Sequence, residues 1–226
     1  MRRKLIGALV LGIAGCAVLL ALGVWQVERL NWKRGILSEI ASRIDAPVAD
    51  LPAALDPQAD RYRPVAVSGR FTGQEVRVLT SLPGIGAGYR IIGAFVTEDG
   101  RRIMVDRGGV PQVEGDVPRP ALEAQVTGNL HWPREADGFT PDPELERNIW
   151  FARDVPRMAE VLDTEPVLIV ARSETGQGVV PLPVSVEGIP NNHLQYAVTW
   201  FTLAAIWAGM TVLLVWRITR QTKERV

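Results

Sequence analysis

Of 226 residues, one is a cysteine, Cys16, and two are histidines, His131 and His193. A single thiol excludes any disulfide within the chain. With no C-x-x-C pair there is no thiol exchange and no copper or zinc thiolate site, and with no C-x-x-C-H there is no covalent haem attachment. Two imidazoles exclude a multi-histidine metal centre built by one chain. The glycine cluster Gly84-Ile85-Gly86-Ala87-Gly88 is followed by no Gly-Lys-Ser/Thr. The next segment alternates as a strand, so the glycines read as a hairpin and not as a phosphate cradle. Asp106-Arg107 puts an acid beside a base, but neighbouring strand residues point to opposite faces, which favours a structural ion pair or turn. No paired carboxylates and no Ser/His/Asp arrangement follow from the spacing, so the sequence offers no basis for an enzyme.

Charge is missing from two long stretches. Leu5–Trp25 is a run of 21 uncharged residues and Leu194–Trp216 a run of 23. At about 1.5 Å per residue each is long enough to cross about 30 Å of hydrocarbon. The zero net charge is a sum of opposites. Arg2, Arg3 and Lys4 precede the first run, and Arg217, Arg220, Lys223 and Arg225 follow the second with Glu224 among them. The intervening residues hold 18 Lys and Arg against 24 Asp and Glu. Basic tails belong on the cytoplasmic side, so both ends are expected inside and the acidic middle outside. An acidic middle also argues against nucleic acid as a partner. The first run is longer than a signal-peptide core and ends in Val24-Trp25-Gln26, which reads as an uncleaved anchor.

The expected organisation is a first transmembrane helix within residues 1–27, an extracytoplasmic domain over 28–193, a second transmembrane helix over 194–216 and a basic tail over 217–226. Gly7, Gly12, Gly15 and Gly23, with Ala205 and Gly209, offer small surfaces for helix packing. Leu30, Leu37, Ile40 and Ile44 recur on one face of an amphipathic stem over Glu28–Ile44. Strands are expected over Tyr62–Phe71, Glu75–Ser81, Tyr89–Thr97, Arg102–Asp106, Leu122–Leu130 and Pro166–Ala171, with turns at Thr72-Gly73 and Asp99-Gly100. Val155–Leu162 reads as a helix capped by Asp154. The fold class is therefore two transmembrane helices flanking a mainly antiparallel, barrel-like extracytoplasmic α+β domain. The Asp-, Glu- and Pro-rich segment 134–148 reads as a solvated connector.

His193 stands out by its place. It opens the second span, and helical spacing puts it on one face with Tyr196, Trp200, Ala204, Trp207 and Thr211. Trp25 and Gln26 end the first span at a similar depth, with Arg29 one turn further out. An imidazole over an aromatic stripe suits the iron of a flat apolar macrocycle, with Arg29 or Lys33 facing its propionates; the same features suit a quinone site or an ordinary aromatic belt.

Gly23-Val24-Trp25-Gln26-Val27-Glu28-Arg29 with Trp32-Lys33, and Asn191-Asn192-His193-Leu194-Gln195-Tyr196-Ala197-Val198-Thr199-Trp200-Phe201, closely resemble the paired signatures of the Surfeit locus protein one family. Tyr62-Arg63-Pro64-Val65, Val105 to Pro111 and Asn148-Ile149-Trp150 resemble its internal landmarks in the same order, so the likeness spans the chain. Gly109 departs from the aromatic residue that many relatives carry. The resemblance implies a non-catalytic assembly factor for haem-copper cytochrome c oxidase that binds haem a transiently and non-covalently and aids its insertion into subunit I. It implies His193 as the iron ligand, with Trp25, Gln26, Arg29, Tyr196 and Trp200 at matching positions. Implied partners are subunit I and membrane lipid, with haem a synthase and a second copy of the chain as further candidates. The chain's start at Met1-Arg2, without a presequence, points to a bacterial inner membrane with the domain in the periplasm. A scaffold that stabilises nascent subunit I without carrying haem is the alternative.

Overall fold

A 43-residue helix, α1 (Arg2–Ile44), opens the chain and a 31-residue helix, α3 (His193–Lys223), closes it. The computed structural model describes residues 2–82 and 86–223. Pro83, with Gly84 and Ile85 of the glycine cluster, and Glu224–Val226 of the basic tail lie outside the described residues. The chain divides into two compact units: Met1–Glu39 with Glu187–Val226, and Ile40–Val186.

In the first unit both helices are long and apolar enough to span a bilayer, with mean hydropathy 2.7 and 1.9 in their richest windows. Only 6 % of each window is buried. A core helix of a soluble protein would be covered, so these two faces are built for lipid, and the chain is a multi-pass membrane protein with a soluble domain between its spans. The seam where the helices meet follows the small residues. A side chain on Gly12 would strike Thr211, one on Gly15 would strike Trp207, and one on Gly23 would strike Phe201. The residues of α1 withheld from solvent, Gly12, Cys16, Leu19, Gly23, Gln26 and Leu30, recur every three or four positions. Steps of three and four keep these residues on one face of the helix. Gly7 and Gly209 face open space, and Ala204, not Ala205, is the buried alanine. One residue is 100° of helix, enough to move a side chain from seam to lipid.

The second unit is a seven-stranded sheet with one covering helix. Its strands are β1 (Ala49–Asp50), β2 (Pro64–Leu82), β3 (Gly86–Thr97), β4 (Arg102–Pro111), β5 (Leu122–Leu130), β6 (Ile149–Trp150) and β7 (Leu168–Ala171), with α2 (Val155–Leu162) before β7. Their order is β1-β2-β3-β4-β7-β5, with β6 and β5 also paired to β2. The β1–β2, β2–β6 and β4–β7 ladders are parallel. This corrects the mainly antiparallel, barrel-like domain expected from periodicity. The sheet is mixed and is not a barrel: three of its ladders run parallel, and β1 and β6 are two-residue edge strands paired with β2 alone. Alternation along a strand reports which face is buried and carries no information about partner or direction, so the parallel pairings were invisible in it.

Thr72-Gly73, expected as a turn, is instead a bulge between Phe71 and Glu75 within one 19-residue strand, with Gly73 at φ +86°. The Asp99-Gly100 hairpin is present, with Gly100 N–H donating to Thr97 O. Strand alternation splits the core into two faces. Val65, Val67, Phe71, Phe95, Ile103, Val105, Val126, Leu130 and Ile169 pack on one. Val76, Val78, Ile92, Ala94, Met104 and Leu168 pack on the other, beneath Trp150 and α2. α2 has Asp154 as its N-cap, accepting from Arg157 N, and buries Val155, Met158, Ala159 and Leu162 at i, i+3, i+4 and i+7. Each large side chain so covered contributes about 1.5–3 kcal/mol.

Candidate functional site

His193 is the first residue of α3 and Gln26 lies in the seam of α1, on the face that buries Gly23 and Leu30. Gln26 is 8 % exposed and His193 is half-buried. The His193 Nδ1 stands 2.8 Å from Gln26 Oε1. Of the six residues singled out from the sequence, these two are joined by a hydrogen bond. Trp25 and Tyr196 are exposed, and Trp200 is half-buried. Arg29 stacks its guanidinium on Trp32, 3.7 Å from the ring centroid, and Lys33 donates to Pro190 O. Just before the helix, the buried Asn191 Oδ1 has no partner.

The stripe expected along α3 divides. Its lower part serves packing: Trp207 Nε1 donates to Gly12 O at 3.1 Å and its ring lies against Gly15, Ala204 O accepts from Cys16, and Thr211 abuts Gly12. Close approach at Gly12, Gly15 and Gly23 closes this stretch of the seam, so no macrocycle fits between the helices there. His193, at the other end of the stripe, keeps part of its ring open. Among the described residues no group of three or more His, Cys, Asp and Glu side chains could hold a metal ion. With the His193 imidazole as the donor at this end of the stripe, an iron held here would take a single protein ligand.

The sheet domain carries a second concentration of charge, which the sequence showed only as Asp106-Arg107. The β3–β4 register passes from Ile91↔Gly108 to Ile92↔Asp106, which leaves Arg107 as the extra residue of a bulge. Asp106 is fully buried and accepts from Arg90 Nη1 at 2.5 Å, Arg153 Nη1 at 3.1 Å and Gly108 N–H at 3.1 Å. Arg153 is also clasped by Glu135, which ties the segment 134–148 to the start of α2, so it is not a free connector at that point. Arg107 takes other partners. It donates to Thr175 Oγ1, Thr175 O, Gly176 O and Gln177 Oε1, and its guanidinium lies 4.3 Å from the Phe71 ring centroid. Burial pushes the Arg107 guanidinium down to about 10, with Glu75 opposing and Arg119 adding, which leaves it charged at neutral pH. Acid and base therefore serve different neighbours, as architecture. The distant partners Glu135, Arg153 and Thr175 had no local signal in the sequence.

Residues 13–205 match the sequence profile of the SURF1 family. The chain is 32 % identical to Surfeit locus protein 1 of Gallus gallus over 213 residues, covering 81 % of this chain and 67 % of the relative. It is 31 % identical to Surfeit locus protein 1 of Homo sapiens over 218 residues, covering 81 % and 69 %, and 31 % identical to a SURF1-like protein of Monosiga brevicollis over 220 residues, covering 87 % and 83 %. The chain belongs to the SURF1 family. The profile takes in Trp25, Gln26, Arg29, His193, Tyr196 and Trp200, so the hydrogen-bonded pair lies within the matched residues of the SURF1 family.

Proposed function

We propose that this protein is an assembly factor for haem-copper cytochrome c oxidase that holds haem a as cargo and hands it to subunit I. Membership of the SURF1 family supports the role in oxidase assembly, and such a role is binding and hand-over, not catalysis. The observation that carries the cargo reading is the half-open His193 imidazole at the start of α3, anchored by Gln26. His193 is the proposed iron ligand. Trp25, Tyr196 and Trp200 offer apolar cover to the ring, and Arg29 a cation for a propionate once it swings off Trp32. Haem supplies an iron that accepts one neutral imidazole. A single ligand on an open face retains an apolar macrocycle that water would reject, yet yields it to a site with a better ligand set. The proposed setting is a bacterial inner membrane, both termini cytoplasmic and the central domain periplasmic, with haem a synthase as the proposed donor.

Loading the purified protein with haem a and recording visible absorption tests the ligand. His193→Ala is expected to lose the ligand-dependent band positions and most of the affinity, and an unchanged spectrum and affinity would remove His193 from the mechanism. The closed seam favours a second reading, in which the sheet domain holds nascent subunit I without haem. Co-purification from cells making the oxidase separates the two: haem without subunit I supports the carrier, subunit I without haem the scaffold.

A further inference from the structure

We infer that Gln26 is a positioning residue that fixes the tautomer of His193, placing the proton on Nδ1 and leaving the Nε2 lone pair bare for a metal. This rests on the carrier reading above for its functional meaning, but the tautomer itself is a property of the protein alone.

A neutral imidazole has one ring nitrogen that donates and one that accepts, and the partner of either nitrogen decides which is which. Here the atom facing Nδ1 is the Gln26 carbonyl oxygen, 2.8 Å away. With the carbonyl toward the ring, Nδ1 carries the hydrogen. The proton is then absent from Nε2, the nitrogen on the far side of the ring. Were the Gln26 amide reversed, its NH2 would donate to Nδ1 and the proton would sit on Nε2, blocking ligation.

Gln26 is poorly placed for any merely solvating role. It is the polar member of a seam whose neighbours are Gly23 and Leu30, and it is 8 % exposed. A buried amide in such a seam is costly unless paired, which ties the Gln26 side chain to the imidazole. Histidines that bind metals usually donate their second ring N–H to a carbonyl or carboxylate, which raises the basicity of the ligating nitrogen. Gln26 provides that second contact before any metal arrives.

The experiment uses the full chain in detergent with its histidines labelled in 15N. The chain has only His131 and His193, and His193→Ala assigns the pair. At pH 8 the native protein is expected to show His193 with a protonated Nδ1 and a bare Nε2. Gln26→Leu should lose that signature and shift the ring toward the Nε2-protonated form, and Gln26→Glu, whose carboxyl oxygen also accepts, should restore it. Loading with haem a should follow the same order, with affinity about ten- to a hundredfold lower in Gln26→Leu and recovered in Gln26→Glu. A bare Nδ1 in the native protein, or the same tautomer in native and Gln26→Leu proteins, overturns the inference even if haem binds normally. If the tautomer responds as stated while no variant, native included, loads haem a, the inference stands and the carrier reading fails.

Discussion

Mild acid should loosen the sheet domain through one imidazole. His131 follows β5, stacks on Tyr62 with ring centroids 5.4 Å apart and carries a buried Nδ1 with no partner. Burial first, then the Arg153 and Arg61 charges, push its pKa from 6.5 down to about 4, with Glu135 pulling the other way and Arg90 adding to the fall. The folded protein thus binds a proton here more weakly than the unfolded chain. The stabilisation is complete above pH 6.5 and is lost as pH falls toward 4. Between pH 7.5 and 5 the linkage amounts to about 2 kcal/mol. Glu135 does not confuse this window: burial alone would raise it, but its hydrogen bonds to Arg153 and that residue's charge hold it below its ordinary value, so its proton returns only at lower pH. Urea unfolding of the full chain in detergent, at pH 7.5 and 5, reads the loss for native protein and for His131→Asn, which cannot titrate. The variant should drop by about 2 kcal/mol less than the native protein over that interval. Equal drops would refute the reasoning.

Asp106→Ala leaves Arg90 and Arg153 facing each other without their shared carboxylate, and removal of one partner from a buried pair costs about 3–5 kcal/mol; denaturant midpoints check this, and a loss below about 1 kcal/mol would mean that water reaches the site. Gly15→Ile should lower the thermal midpoint of the full chain, because the first added carbon would stand 2.3 Å from Trp207 Nε1, while Gly7→Ile should leave it unchanged, because nothing lies within 4 Å of a carbon there. Equal responses from the two would show that the seam lies elsewhere.

The chemistry of single elements was readable in the chain, and long-range partnership was not. The two spans follow from uncharged length, α2 follows from an apolar i, i+3, i+4, i+7 face behind Asp154, and the hairpin follows from Asp99-Gly100. β1 and β6 are too short to leave a periodic trace, and the parallel β4–β7 ladder joins residues more than sixty apart in sequence. Within the Leu5–Trp25 run of α1 almost every residue is apolar, so hydropathy cannot single out the packed face there. Small size can: Gly12, Gly15 and Gly23 line the seam, whereas Gly7, expected with them, faces open space. At the candidate site, helical spacing places His193 and Trp207 on one face of α3 and carries no information about the helix packed against it. The partner helix divides that stripe, because the glycines of α1 admit the Trp207 ring and leave the upper end to Gln26.

That division bears on how a cargo could leave. A macrocycle wedged between two helices would require them to part, breaking the Trp207–Gly12 hydrogen bond and opening all three glycine contacts at once. Each such step is costly in lipid, where close packing is what holds helices together. A ligand held at the rim by His193 requires none of this: the seam stays shut, and only one coordination bond and the apolar cover of exposed aromatic side chains are exchanged. The closed seam therefore argues against a slot, and within the proposed function it makes hand-over a matter of ligand competition at one imidazole. A carrier of this design should release haem a at a rate that responds to Gln26, which tunes that imidazole, and is indifferent to Gly15→Ala, which perturbs the seam. Rates that followed Gly15 instead would mean that the helices do part during transfer.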